Sequence, residues 1–165
     1  MSAKSPSIKI RSFRISDALL LHEVFYSAVH EIASADYTPE QCRTWAPPIH
    51  GEPHQLSWNA KMRLLKPFVA EIDGRIAGYA DLQRDGLIDH FFTAGWCPRR
   101  GVGTALMNRI HEKAGKRGIA ELYSNVSLTA RPFFERFGFA VETEQEVEVR
   151  GARFHNFRMR KRSAV

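Results

Sequence analysis

Two glycines one residue apart stand in Arg99-Arg100-Gly101-Val102-Gly103-Thr104, immediately ahead of a stretch with helical periodicity. A helix N-terminus leaves backbone N–H groups without intrahelical partners, and its dipole favours negative charge. Glycine at such a turn removes Cβ atoms that would block an approaching phosphate. Arg99 and Arg100 add positive charge where the dipole disfavours it, a conflict that a bound anion resolves. The chemistry implied is the holding of a phosphate or pyrophosphate. The plainer alternative is a glycine-rich turn with two solvated arginines, since two glycines are a weak signal. A Walker-type loop needs Gly-Lys-Ser/Thr after four further residues, and none is present. The dinucleotide fingerprint needs a third glycine where Leu106 stands. Glu121 could imitate its ribose-binding acid, but that fingerprint belongs on an early strand and this turn lies late in the chain.

Other groups with chemical potential are sparser. The seven histidines form no spaced pair on one helix. His50 and His54 share a segment with Gly51 and Pro53, and a metal there would need further ligands, so no metal site is expected. Cys42 and Cys97 have no metal-ligand neighbours and no secretion signal ahead of them, which favours reduced thiols over a bridge.

The elements that must position these groups follow from periodicity. Ile8, Ile10, Phe13 and Ile15 alternate with polar residues as a first strand over Ile8 to Ile15. Ser16 or Asp17 can cap the next helix, which carries Leu21, Val24, Phe25, Ala28 and Ile32 on one stripe. Thr38 caps a second, short helix with Pro39 at its first position, ending before Pro47-Pro48. Ile49 to Leu65 reads as a loop with a helical turn or two. A meander follows: Pro67 to Ile72, the turn Asp73-Gly74, Arg75 to Gln83, the turn Asp85-Gly86, and a central strand from Leu87 to Thr93. The phosphate turn then opens a helix from Gly101 to Arg117 with the stripe Val102, Ala105, Leu106, Ile110 and Ala114. Glu121 to Val126 is a strand and Thr129 to Phe137 a short helix. Phe139 to Val149 and Arg153 to Arg160 close the chain as a hairpin around Arg150-Gly151. This order predicts an α/β fold, a mixed sheet of six to seven strands with helices on both faces.

The 165 residues suit one domain, 1–165 with a core over about 8–161 and no dividing linker. With 44% hydrophobic and 25% charged residues the composition is that of a globular protein. No run approaches the ~20 apolar residues of a membrane span, and no signal-peptide pattern opens the chain. A cytoplasmic protein with no membrane partner is the expectation. The net charge of +6 permits a polyanionic ligand, nucleic acid or a phosphorylated cofactor. Six of the basic residues lie between Arg150 and Arg162, and the run Arg158-Met159-Arg160-Lys161-Arg162 reads as the end of an edge strand and a solvated tail. A small RNA-binding protein would need an aromatic RNP-type strand or a basic helix face, and the sequence has neither, so no nucleic-acid partner is expected.

Leu87 to Phe139 resembles the core of the GNAT superfamily of N-acetyltransferases. The family's cofactor motif, Gln/Arg-x-x-Gly-x-Gly/Ala, is matched by Pro98-Arg99-Arg100-Gly101-Val102-Gly103. Its second signature, Asn-x-x-Ala-x-x-hydrophobic-Tyr with a following Gly-Phe, is matched from Ser127 through Ala130, Phe133 and Phe134 to Gly138-Phe139. The element order agrees along nearly the whole chain. Asp36 to Gln41, Trp45-Ala46-Pro47, Ile88 to Phe92 and Ala130 to Phe134 are similar to the YafP-like branch. Three positions depart from the family: Pro98 for Gln/Arg, Ser127 for Asn, and Phe134 for the Tyr that often protonates the leaving thiolate.

The resemblance implies transfer of an acetyl group from acetyl-CoA to a primary amine, by direct attack in a ternary complex. It places the cofactor on Arg99, Arg100, Gly101, Val102, Gly103 and Thr104, with Ser127 and Phe134 nearby. Backbone N–H groups about Phe92 and Thr93 would face the thioester oxygen. A base must take the ammonium proton. Candidates are Asp89 and His90, then Asp81, Glu23 and Glu31. Strand alternation keeps Asp89 and His90 off one pocket face, and Asp89 is favoured. Tyr37, Trp45, Trp58 and Tyr79 are candidates for the pocket of a small-molecule or peptide amine, and Tyr123 and Ser124 for proton donation. In the family the closing hairpin often pairs between subunits, so a homodimer is one arrangement implied. Phe134 sustains an alternative, an acyl-CoA-binding sensor or interaction module without effective catalysis.

Overall fold

A computed structural model describes residues 7–162, so both ends of the 1–165 domain reading lie outside the described residues. Strand β1 (Ile8–Ser12) pairs antiparallel with β2 (Phe68–Ile72), β2 with β3 (Arg75–Ala80), and β3 with β4 (Phe91–Thr93). A second sheet runs in the order β5 (Glu121–Ser127), β7 (Ala152–Arg162), β6 (Ala140–Val149). The predicted mixed α/β architecture is present, with its seven strands divided between these two sheets.

The sheets meet at one place. Leu87 forms a single parallel bridge with Tyr123; Ile88 N donates to Tyr123 O at 2.9 Å, and Tyr123 N to Gly86 O at 3.1 Å. Ser124 Oγ adds a bond to Ile88 O at 2.7 Å. Beyond this point β4 and β5 run in the same direction but share no ladder among the described residues. The two strands therefore part toward their C-terminal ends. In open α/β sheets a crevice of this kind is where ligands bind.

Helices cover both faces. A Cβ on Gly78 would meet Val102 and Leu106 of α4 (Val102–Arg117), so α4 lies on that face of β3. Tyr79, its neighbour in the strand, points the other way. That face also carries Phe92, which packs on Phe25 of α1 (Ala18–Ser27) with ring centroids 4.9 Å apart. Helix α1 continues through a wide turn at Ala28–Ile32 and a tight one at Ala33–Ala35. Helix α2 (Pro39–Trp45) starts at the expected cap: Gln41 N donates to Thr38 Oγ1 at 3.1 Å, and Thr38 N to Gln41 Oε1 at 2.9 Å.

The structure differs from the sequence reading at five elements. β1 stops at Ser12, because Asp17 turns back to accept from Arg14 N and ion-pairs with Arg11 at 2.8 Å; it does not cap α1. Ile49 to Leu65 is largely a 15-residue helix, α3 (Gly51–Leu65), which buries only Trp58 and Met62 and so shows little periodicity. The predicted strand Leu87 to Thr93 is regular only over Phe91–Thr93. Helix α5 is confined to Arg131–Arg136. Finally, β7 is the central strand of its sheet, not an edge. Its Arg158, Arg160 and Arg162 pair across to Glu142 and Glu121 at 2.9–3.3 Å instead of forming a solvated tail. Cys42 and Cys97 are buried free thiols. Among the described residues no helix is long and apolar enough to cross a membrane.

Candidate functional site

The turn Arg99 to Thr104 lies at the open end of the crevice, where β4 runs into α4. Arg99 and Gly101 hold left-handed backbone conformations, φ +58° and +86°. Ala105 N is the first helical amide with a partner inside the helix, Gly101 O at 3.0 Å. The N–H groups of Val102, Gly103 and Thr104 are thus left at the helix end for an external acceptor. Arg99, Arg100 and Thr104 are exposed beside them. Each glycine has its own reason. Gly101 serves the turn, since a Cβ there would find space but a strained φ. Gly103 serves packing: its Cβ would lie 3.1 Å from the Phe133 ring of α5. The residues present fit a diphosphate group, with free amides and two cations converging on a helix end.

Antiparallel alternation sorts the amides of β4. Ala94 N donates to Ala77 O and Asp81 N to His90 O, so the intervening Tyr79 and Phe92 also face each other in a hydrogen-bonded pair. Phe92 N–H is consumed by β3, contrary to the expectation that it faces a bound thioester. The N–H of Thr93 points to the parted edge.

Phe134, expected at the cofactor, is 2% exposed and packs on Phe91 and Phe139 with ring centroids 5.7 and 5.0 Å away. Its apolar ring fills the core and presents almost no surface to the crevice. Ser127, at the end of β5, accepts from Ala130 N at 3.1 Å and lines the cavity described next.

On the opposite face of β4 lies a cavity of about 500 Å³. Phe92, His90 and Phe25 contribute to it from the sheet and α1, Trp58 and Lys61 from α3, Tyr37 and Trp45 from the α2 segment, and Phe154 and Arg150 from the closing hairpin. The aromatic rings contact one another: Phe25 with Trp58 at 5.5 Å, Trp45 with Tyr37 at 5.5 Å and with Phe154 at 6.1 Å. The Tyr37 hydroxyl is not free for a ligand. It donates to His155 O at 2.7 Å and accepts from Leu128 N at 3.0 Å, leaving only the ring to line the wall.

Asp89 and His90 both line this cavity, which corrects the alternation argument. The connector that carries them is not a regular strand. Buried Asp81 folds it inward, its Oδ1 accepting from Asp89 N at 2.9 Å and His90 N at 2.6 Å. Burial pushes the Asp81 carboxyl up to about 6. Asp89 is exposed. His90 is almost fully buried, and burial, with the nearby charge of Lys61, brings its pKa down to about 3. The ring is therefore neutral.

Its tautomer follows from Tyr79. That residue is fully buried beneath the cavity and does not line it, because its ring is covered by His90 and Phe92. Its hydroxyl lies 3.0 Å from His90 Nδ1, its one hydrogen-bond partner among the described residues. The phenol donates there, since it has no other acceptor. The neutral imidazole then keeps its proton on Nε2. His90 offers the cavity a donor, not a base.

The remaining candidates lie elsewhere. Glu23 and Glu31 border a separate depression with Arg75 and Trp96. Ser124 is spent on Ile88 O, and Tyr123 bonds to Asp85 outside the cavity. His50 N donates to His54 Nδ1 at 3.2 Å. Sequence reasoning missed Lys61 and Arg150 as cavity residues. Lys61 stands three residues after Trp58, a spacing that shares a helix face once α3 is recognised. Arg150 was read only as part of a turn.

Comparison with known proteins adds the following. The family model described as acetyltransferase (GNAT) domain matches residues 33–161. The chain is 34% identical over 154 residues to YafP of Escherichia coli (strain K12), described as an uncharacterized N-acetyltransferase; the match covers 93% of this chain and 95% of that protein. Among solved structures, a GCN5-related N-acetyltransferase from Rhodopseudomonas palustris superposes with a TM-score of 0.87 at 24% identity, covering 99% of both chains. PaiA N-acetyltransferase of Thermoplasma acidophilum, solved with coenzyme A, gives 0.71 at 19% identity, covering 95% of this chain and 99% of that one.

Proposed function

The chain belongs to the GNAT acetyltransferase family, and on that premise we propose that it transfers an acetyl group from acetyl-CoA to a primary amine, both bound at once. One observation carries the reading. The crevice between β4 and β5 has an anion-ready helix end at its mouth and an aromatic cavity on the other face of β4, so two ligands can meet at that strand. When bound, acetyl-CoA supplies a thioester whose carbonyl carbon forms the new bond to nitrogen as its bond to sulfur breaks.

The chain's own groups do the rest. Val102, Gly103 and Thr104 N–H, with Arg99 and Arg100, hold the diphosphate. Thr93 N–H faces the position where negative charge develops on the carbonyl oxygen. Asp89 takes the proton that the ammonium must lose, directly or through water. His90, neutral and protonated on Nε2, orients the acceptor by donation. Much of the acceleration comes from holding two reactants in register. No tyrosine stands at Phe134 to protonate the departing sulfur. A thiol pKa near ~8.5 makes the thiolate a fair leaving group without one.

The test is release of free thiol from acetyl-CoA over a panel of amines. Asp89→Asn lowers kcat by about a hundredfold with little change in acetyl-CoA affinity. Replacing Arg99 and Arg100 by Gln weakens acetyl-CoA binding by about tenfold. Full turnover by Asp89→Asn overturns the role of that residue. Tight cofactor binding with no turnover on any amine would favour the second reading, an acyl-CoA-binding module, which the apolar burial of Phe134 supports.

A further inference from the structure

We propose that the amine acceptor carries its own carboxylate on an apolar, aromatic-sized body, as an aromatic amino acid does, with the carboxylate held by Lys61 and Arg150 and the amine by Asp89. This rests on the acetyl-transfer reading above and names the substrate class of that site.

The charges lining the cavity carry the inference. They are Asp89, Lys61 and Arg150. None of the three joins an ion pair among the described residues, although nine Lys or Arg to carboxylate pairs form elsewhere among those residues. A simple cationic amine would satisfy Asp89 but face two uncompensated cations. A ligand bearing one positive and one negative group matches the arrangement.

The geometry of the cations fits a carboxylate. Arg150 sits in the turn between β6 and β7, where Nη1 donates to Thr44 O at 2.7 Å and fixes the guanidinium at the cavity rim. Its remaining donors keep the planar fork that matches a carboxylate. Lys61 projects from α3 near enough to His90 to help keep that imidazole neutral. His90 Nε2–H supplies a third donor. A neutral donor beside two cations suits an anion and offers nothing to an ammonium.

The body of the ligand follows from the walls. Phe25, Trp58, Trp45, Phe92 and Phe154 present apolar ring surface around about 500 Å³, the size range of small-molecule pockets. The same rings favour a positively charged amine as it enters. Pro47, Val147 and Val149 add aliphatic surface to the wall, but the aromatic rings outnumber them.

The experiment compares matched acceptors with and without the carboxylate: L-tryptophan against tryptamine, and L-phenylalanine against phenethylamine, by thiol release at saturating acetyl-CoA. The amino acids have the higher kcat/KM, by about tenfold or more. The double variant of Lys61→Gln and Arg150→Gln brings the ratio within each pair close to one, mainly through a raised KM for the amino acid. Both side chains are exposed, so the variant removes no core packing. Equal or better use of the decarboxylated amines by the unaltered protein overturns the proposal, as does a preference that survives in the double variant. Calorimetric titration of the same four compounds into the protein–CoA complex separates the two levels of inference. Amino-acid binding without acetylation keeps the ligand class and overturns the transfer reading. Acetylation of amines without regard to the carboxylate does the reverse. Neither binding nor acetylation overturns both.

Discussion

His90 meets acid in a way its surroundings dictate. In the folded protein burial holds its pKa to about 3, whereas an unfolded histidine titrates near 6.5. On acidification the unfolded chain takes up a proton that the folded state refuses. The histidine therefore costs stability progressively as pH falls from about 6.5 toward 3, by up to about 1.4 kcal/mol per pH unit. Asp81 acts in the opposite sense. Its folded value of about 6 lies above the ordinary 3.8, so its protonation favours the fold as pH drops through that interval. Comparing the unaltered protein with His90→Gln isolates the histidine, because both retain Asp81. Urea midpoints at about pH 7.5 and about pH 5 should fall further for the unaltered protein than for the variant. Equal losses would show that His90 is not held neutral. The sequence put His90 among the bases, and could not show the phenol beneath it that fixes the proton on Nε2.

At the scale of elements, the parallel contact between Gly86–Ile88 and Tyr123 is the hinge on which the crevice is built. A Cβ on Gly86 would lie 1.9 Å from Glu121 O, and its φ of +93° strains any side chain. Gly86→Ala should destabilise the protein by about 3 kcal/mol or more, combining backbone strain with a backbone clash. A shift in the denaturation midpoint reads this, and thiol release should fall with it because Asp89 and His90 follow directly. The same region shows what periodicity can and cannot disclose. Strands that pair with an immediate neighbour through Asp73-Gly74 or Arg150-Gly151 were legible, since the turn and the alternation lie in one short segment. Helix α4 was legible from its stripe and its glycine-flanked ends. Helix α3 was not, because one buried face supplied by Trp58 and Met62 leaves no stripe. The irregular connector from Leu82 to His90 was not either, since Asp81 bends it from eight residues away.

Over the whole molecule, the acceptor cavity is closed by contacts between distant parts of the chain. Tyr37 reaches His155, Gln41 donates to Arg153 O at 2.9 Å, and Arg150 reaches Thr44 O at 2.7 Å. Tyr37→Phe leaves the half-buried Leu128 N and His155 O without that partner. It should cost about 2 kcal/mol and raise the KM for the amine more than that for acetyl-CoA, readable by thermal unfolding and steady-state kinetics. This also explains the uneven legibility of the site. The phosphate turn is six consecutive residues and announces itself, while the cavity is assembled from the α1, α2 and α3 regions, the β4 connector and the closing hairpin, and no local pattern records that meeting. The order of synthesis turns the same clamp into a timetable. A nascent chain completes the cofactor turn and α4 well before the ribosome reaches Arg150. Until the closing hairpin emerges, the α2 segment lacks its bonds to Arg153 O, His155 O and Arg150, and one wall of the acceptor cavity is missing. A message cut short after α4 would carry the residues of the diphosphate loop yet lack the hairpin side of the amine cavity, Phe154 and Arg150 included.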